Sequence, residues 1–242
     1  MKNTGKTTQI GTLVMASNHI GCTDDIPNRA LETLKTADLV VFEEDRPARQ
    51  TLKAAGIRRD YLKFNEHHQM QTLDEVAEAL KKGRTVIYMS DQGSPALADP
   101  GRFLNEIAFS IGAKVTTIPG PSSLTAALSA APFDCRTFKY LGFPPKDPGL
   151  KQSFFESELN TNENLVLMDT PYRLKNTIAE LAKSFPNRKG LLAIDVSGPD
   201  ENFIYGPFSK INDQIDKRKL NFVLVVEGNK GASQKRHRKK KN

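Results

Sequence analysis

Two cysteines in 242 residues, Cys22 and Cys135, stand too far apart in sequence to suggest a disulfide framework. Histidine is scarce too. His67 and His68 are adjacent while His19 and His237 are isolated, so no Cys/His spacing matches a structural zinc site. No apolar run reaches the ~18 residues that a membrane span requires. The opening MKNTGKTTQIG lacks the apolar segment of a signal peptide, and the expectation is a cytoplasmic protein. Its GKTT is not a phosphate-binding loop, which needs an earlier glycine and a strand leading into it.

Acid is missing from one place in particular. Of the 35 basic residues, seven lie between Asn229 and Asn242, where there is no Asp or Glu, and the other 28 balance the 28 acids. The net charge of +7 therefore belongs to the tail. Such a segment cannot bury enough apolar surface to offset its ordering entropy, and residues 229–242 are expected to be disordered in isolation. A polycationic arm seeks phosphate, so RNA or DNA is the expected partner; a solubilising terminus is the plainer alternative. Residues 1–9 are expected to be flexible as well.

What is present reads as alternating strands and helices. Gly11–Ser17 is a strand; Ile26, Ala30, Leu31 and Leu34 fall on one helical face, with Pro27 in the first turn. Leu39–Glu43 is a strand, and a helix opened by EDRPARQ closes at Gly56. Thr72 and Glu75 look like a capping box ahead of a helix that stops at Gly83. Strand 85–90, a helix from Arg102 to Ile111 and strand 114–118 complete this half. Near-continuous apolar strands in this order imply a largely parallel sheet covered on both faces. The boundary is expected near Gly120–Ser123, giving α/β domains over residues 10–121 and 122–228.

The second half is less regular. It reads as strand TFKYLGF, turn PPKDPG, a helix from Leu150 to Leu159, strand NLVLMD and helix YRLKNTIAELAKSF. Three strands follow, and pairing of Asn202–Phe208 with Phe222–Gly228 implies a mixed sheet.

Two blocks, VIYMSDQGSPALADPG (Val86–Gly101) and IPGPSSLTAALSAAP (Ile118–Pro132), each run from an apolar strand through a Gly/Ser/Pro loop into a helix. In open α/β sheets ligands bind beyond the carboxyl ends of strands, where backbone N–H groups converge. Asp91 can accept hydrogen bonds from hydroxyls or an amine there, and Gly93 permits close backbone approach. By itself SDQGSP could also be a plain turn.

In order along residues 10–228 stand IGCTDDIPNRALETLKTADLVVFEEDR, NEHHQ, MSDQGSPALADPG, IPGPSSLTAALSAAPF, GFPPK (Gly142–Lys146), MDTPYR and VLVVEG. Together these runs resemble the S-adenosylmethionine-dependent tetrapyrrole methylase superfamily, and within it the bacterial small-subunit rRNA cytidine 2′-O-methyltransferase branch. The resemblance implies a class III methyltransferase fold: two α/β domains, a largely parallel N-terminal sheet and a mixed C-terminal one. It also implies S-adenosylmethionine in the cleft between them, and a homodimer.

Carried over by position, Ile20, Ser90, Asp91, Ser94, Ser122 and Ser123 match cofactor-contacting places, as do Met168 and Ala193 in the second domain. A ribose 2′-hydroxyl is weakly acidic, so methyl transfer to it gains from a nearby base, and carboxylates at a strand end are the candidates. Glu43, Glu44 and Arg46 fall where the rRNA branch reads Glu-Asp-Thr-Arg. Asn65 and His67 match a substrate-side loop. Tyr172 and Arg173 could stack on or clamp a nucleotide, or could serve as ordinary helix residues.

Two departures stand out. Asp45 replaces the threonine of the Glu-Asp-Thr-Arg pattern and Glu44 its aspartate; and Ile194-Asp195-Val196-Ser197-Gly198 replaces a basic Arg-Glu-Leu-Thr-Lys segment. The expected function is S-adenosylmethionine-dependent 2′-O-methylation of a cytidine in small-subunit rRNA. A methylase of a tetrapyrrole or other small molecule, and a catalytically impaired RNA-interaction module that still binds the cofactor, are the alternatives.

Overall fold

A computed structural model describes residues 10–215 and 219–229. The N-terminal nine residues and the basic tail from Lys230, both expected to be flexible, lie outside the described residues. The chain divides into two compact units between Ser122 and Ser123.

The first unit is a run of strand–helix pairs: β1 (Thr12–Ala16), α1 (Asn28–Thr36), β2 (Leu39–Phe42), α2 (Asp45–Ala54), β3 (Leu62–Lys63), α3 (Gln69–Lys81), β4 (Thr85–Met89), α4 (Arg102–Ser110) and β5 (Lys114–Ile118). Its five strands are all parallel in the order β3-β2-β4-β1-β5. Alternate side chains explain why these strands are apolar throughout. Val14, Ala16, Val40, Phe42, Ile87 and Met89 pack with α1 and α2 on one face, whereas Leu13, Met15, Val41, Val86 and Tyr88 pack with α3 and α4 on the other. Both faces are thus buried, as a parallel sheet requires. Each Leu or Ile enclosed in this way contributes about 1.5–3 kcal/mol.

The second unit comprises α5 (Ser123–Ala130), β6 (Phe138–Gly142), α6 (Pro148–Leu159), β7 (Asn164–Asp169), α7 (Leu174–Ser184), β8 (Lys189–Ile194), β9 (Asn202–Pro207), α8 (Phe208–Gln214) and β10 (Phe222–Val226). The sheet order is β6-β7-β10-β8-β9, with β6 parallel to β7 and the remaining pairs antiparallel. Helices α6, α7 and α8 cover the face of Leu165, Leu167, Leu192 and Leu224. Ala127 of α5 packs on the opposite face with Val166, Leu191, Ala193 and Val223.

Several local expectations are corrected. A short strand, β3, separates α2 from α3; two residues at a sheet edge show no periodicity that a sequence could reveal. Thr72 does not cap α3, which starts one turn earlier at Gln69; its buried hydroxyl donates instead to the Lys63 carbonyl at 2.6 Å. Strands β9 and β10 are not partners, because β8 lies between them. Helix α6 begins two residues before Leu150. The Asp147 carboxylate caps the Leu150 N–H at 2.9 Å and Pro148 occupies the first turn, so part of the expected turn is a helix start. Helix α8 went unread, since its seven residues follow a strand directly and carry little apolar period.

Candidate functional site

Parallel strands bring all their carboxyl ends to one edge. From β1 the chain crosses to β2 through α1, and from β4 it crosses to β5 through α4, on the opposite face. Adjacent strands β1 and β4 therefore send their chains apart, which makes the topological switch point where α/β sheets hold ligands. Here the two loops are stitched together. The Asn18 N–H donates to the Gly93 carbonyl at 2.9 Å and the Gly93 N–H to the His19 carbonyl at 3.0 Å. The buried Asn18 amide donates to the Ser90 carbonyl at 3.0 Å and accepts from Thr51 Oγ1 at 3.1 Å.

Gly93 is required twice over. Its φ of 70° is left-handed, and a Cβ there would come within 3.1 Å of Ile20 Cγ2 and 3.3 Å of the Pro121 carbonyl. Three loops, after β1, β4 and β5, thus converge on one backbone position. The Ser94 hydroxyl lies 3.1 Å from Ser17 Oγ and 3.3 Å from the Pro121 carbonyl. Ser90 is buried and its hydroxyl closes its own turn, donating to the Gly93 carbonyl at 3.1 Å. Asp91 Oδ1 accepts the Glu44 N–H at 3.1 Å, and burial raises its carboxyl above the usual range. Ser122 and Ser123, both half-buried, end the first unit and open α5.

At the end of β2 the three acids diverge. The Tyr88 phenol lies 2.8 Å from Glu43 Oε1 and 3.0 Å from Asp99 Oδ1. One phenolic proton cannot serve both acceptors at once, so this trio closes its hydrogen bonds best with an additional proton on a carboxyl. Burial raises the Asp99 carboxyl above its ordinary value, and the Gly101 and Ala96 N–H groups that it accepts, at 2.8 Å each, oppose that shift. Glu43 is pushed up to about 7, chiefly by burial, with the charges of Asp99 and Asp91 adding to it and the Tyr88 hydrogen bond opposing. Glu43 is therefore the member poised to gain or lose a proton near neutrality.

Glu44 turns the other way, accepting the Asn65 amide at 3.0 Å, so the loops after β2 and β3 are joined. Asn65 Oδ1 in turn accepts the His67 N–H at 3.2 Å and lies 2.8 Å from His68 Nδ1, while His67 is exposed. Asp45 accepts from Tyr61 at 2.9 Å and Lys63 at 3.3 Å, which lower its carboxyl below the ordinary value. Arg46 is exposed in the first turn of α2.

In the second unit, Met168 and Ala193 both register on Val223 of β10, which puts them in one row across three strands. Ala193 is fully buried; Met168 is half-buried, its sulfur accepting from Tyr140 at 3.5 Å. Tyr172 is 74% exposed with the Lys219 ammonium 4.8 Å from its ring centre. Arg173 pairs with Asp169 at 3.1 Å and donates to the Pro144 and Pro145 carbonyls at 3.0 and 2.8 Å. A nucleotide clamped by Arg173 would compete with those partners.

Four participants escaped the sequence reading. Asn18 and His19 sit among ordinary loop letters, Tyr88 among strand core residues, and Asp99 was noticed only as part of a motif. Spacing held one signal: Tyr88 and Asp91 bracket a strand end, so a polar tip at Tyr88 is placed at the site. His19 is 8% exposed, both ring nitrogens lack a partner among the described residues, and burial lowers it below its ordinary value, leaving the ring neutral.

Comparison with known proteins places this geometry. The family model of Tetrapyrrole (Corrin/Porphyrin) Methylases matches residues 13–212. The chain is 34% identical to Ribosomal RNA small subunit methyltransferase I of Neisseria meningitidis serogroup A, over 93% of this chain and 74% of that protein. It is 30% identical to the protein of the same name from Thermotoga maritima, covering 90% of this chain and 98% of that one. Among solved structures, uroporphyrin-III-C-methyltransferase from Thermus thermophilus superposes with a TM-score of 0.63 at 20% identity, over 90% of this chain and 94% of that one. Diphthine synthase gives 0.68 at 15% identity, over 89% of each chain. With the parallel sheet, its stitched switch point and a family match across both units on the page, the chain belongs to the tetrapyrrole methylase family, whose members are S-adenosylmethionine-dependent methyltransferases.

Proposed function

We propose that this chain methylates a ribose 2′-hydroxyl of small-subunit rRNA, that of a cytidine, with Glu43 as the general base. The observation that carries the reading is the half-buried Glu43 carboxyl at the carboxyl edge, one strand from the switch point, hydrogen-bonded to Tyr88 at 2.8 Å and pushed up to about 7 by burial. Such a group is half ionised at neutral pH, where it is both available as a base and basic enough to act. The small-subunit rRNA acceptor is supported by the names of the relatives.

The residues fit the methyl donor. Asp91 offers a desolvated carboxylate of which the Glu44 N–H takes one oxygen, suiting the ribose hydroxyls or amine of S-adenosylmethionine. Between β1, β5 and α4, Ser17, Ser94 and Asn105 line a cavity of about 320 Å³ in which the buried Asn105 Oδ1 has no partner among the described residues. In the first unit Ile20, Ser90 and Ser122 are further candidate contacts, and in the second Ser123, Met168 and Ala193 are the candidates. When bound, the cofactor supplies a methyl on a positively charged sulfur, a leaving group already activated.

The chain's task is then positioning and proton removal. Glu43 accepts the 2′-hydroxyl proton as the oxygen attacks. Tyr88 and Asp99 position Glu43, and Glu44, Asn65, His67 and Arg46 border the place where the nucleotide enters. Tyr172 offers an exposed ring for stacking, and Arg173 a guanidinium at the MDTP turn.

Labelled S-adenosylmethionine incubated with the protein and with small ribosomal subunits, or with a porphyrinogen, tests the reading. Label in 2′-O-methylcytidine after digestion of the RNA is the expected result. Label in the porphyrinogen alone, or in neither acceptor, would overturn it.

A further inference from the structure

Helix α2 carries Arg49 and Lys53 one turn apart, on the side of its first residue, Asp45. The helix ends in a Schellman turn: Gly56, at φ 69°, donates to the Lys53 carbonyl at 3.0 Å, and the Ile57 N–H donates to the Leu52 carbonyl at 3.1 Å. This reversal returns the chain beside the helix, and Arg58 and Arg59 join Arg49 and Lys53 around an open groove of about 830 Å³. Arg59 is anchored through its donation to the Leu34 carbonyl at 2.8 Å.

Asp45, the acid in that lining, is already matched by Lys63 at 3.3 Å and by the Tyr61 hydroxyl. Among the described residues, Arg49, Lys53, Arg58 and Arg59 have no carboxylate within 4.0 Å. By contrast Lys81, Lys82 and Arg102, on the helices of the opposite sheet face, each have a glutamate partner one turn away. Arg49 Nε donates to the Asp45 backbone carbonyl at 3.2 Å, which still leaves its charge without a paired carboxylate, and a set of cations lacking such pairs costs self-repulsion that a polyanion relieves. The groove also opens at the right place, because Asp45 directly follows Glu43 and Glu44.

We propose that this groove binds the phosphodiester backbone of the RNA substrate next to the target nucleotide, through Arg49, Lys53, Arg58 and Arg59. The assignment rests on the RNA reading above. Four separated cations along an open channel suit successive phosphates of a strand, and phosphate contacts of this kind fix register without reading sequence.

The test compares three full-length variants with wild type in binding a single-stranded RNA oligonucleotide across a salt titration. They are the groove triple Arg49→Ala/Lys53→Ala/Arg58→Ala, the control triple Lys81→Ala/Lys82→Ala/Arg102→Ala, and the charge-keeping Arg49→Lys/Arg58→Lys. Arg59 is left intact because it also holds Leu34. The groove triple should weaken binding by roughly tenfold or more near 0.1 M salt. It should reduce the slope of log K against log salt by about 2, since each phosphate contact on a single strand contributes about 0.7. Control and charge-keeping variants should stay near wild type, and S-adenosylmethionine affinity by calorimetry should be unchanged in all three, which shows that they fold. A groove triple with the affinity and slope of the control overturns the groove while leaving the RNA reading standing. Wild-type protein that neither binds RNA nor methylates it overturns both.

Discussion

Glu43 and Asp91 are both half-buried carboxylates at strand ends, and their neighbours assign them different work. Among the described residues, the side-chain donor to Glu43 is a phenol that it shares with Asp99. If Glu43 is the base, kcat/KM should rise about tenfold per pH unit below 7 and level off above it. Tyr88→Phe removes a hydrogen bond that favours the Glu43 anion, so the midpoint should move to higher pH; a profile unmoved by this substitution would exclude the positioning role. Stability should follow the same proton. A carboxyl raised from 4.5 to about 7 binds its proton more tightly folded than unfolded, so its stabilisation is complete below about 4.5 and lost as pH rises through 7. Glu43→Gln should flatten that stretch of a urea-denaturation series while lowering kcat by roughly a hundredfold or more. Asp91→Ala should weaken S-adenosylmethionine binding by about ten- to a hundredfold in calorimetry, the loss expected for a desolvated, charged hydrogen-bond partner.

Among elements, the loops after β1, β4 and β5 act as one body because they meet at Gly93. Gly93→Ala imposes a left-handed φ on a residue with a side chain and drives its Cβ toward Ile20 and Pro121. The expected loss is about 1–3 kcal/mol, read as a lower melting temperature accompanied by weaker cofactor binding. The same loops show how far sequence carries. Gly/Ser/Pro composition points to the loops after β4 and β5 as candidate ligand loops, and the apolar strands before them imply a parallel sheet, because both signals are local. Strand order is not local: β8 came between β9 and β10 through contacts that no short window contains. The two-residue β3 and the true start of α3 were missed for a related reason. Thr72 has the letters of a cap but its hydroxyl finds the Lys63 carbonyl in tertiary structure. Tyr88 was hidden differently: its ring is core and only its hydroxyl reaches the site, a division that composition cannot express.

For the whole molecule, charge is the property that divides. The first unit offers an unmatched basic groove beside the proposed acceptor edge, and sequence places seven further cations from Asn229 onward. Truncation after Gly228 should reduce the salt slope of RNA binding by up to about 5 while sparing cofactor affinity; a slope equal to that of the full chain would deny the tail any RNA contact. Methyl transfer to small-subunit rRNA is the activity proposed for the molecule as a whole. Mass spectrometry of rRNA nucleosides from a deletion strain tests that activity most directly, with the strain complemented either by the wild-type chain or by Asp91→Ala. One 2′-O-methylcytidine mark should vanish on deletion, return with the wild-type chain and return weakly or not at all with the variant. Survival of every 2′-O-methyl mark in the deletion strain would contradict the account.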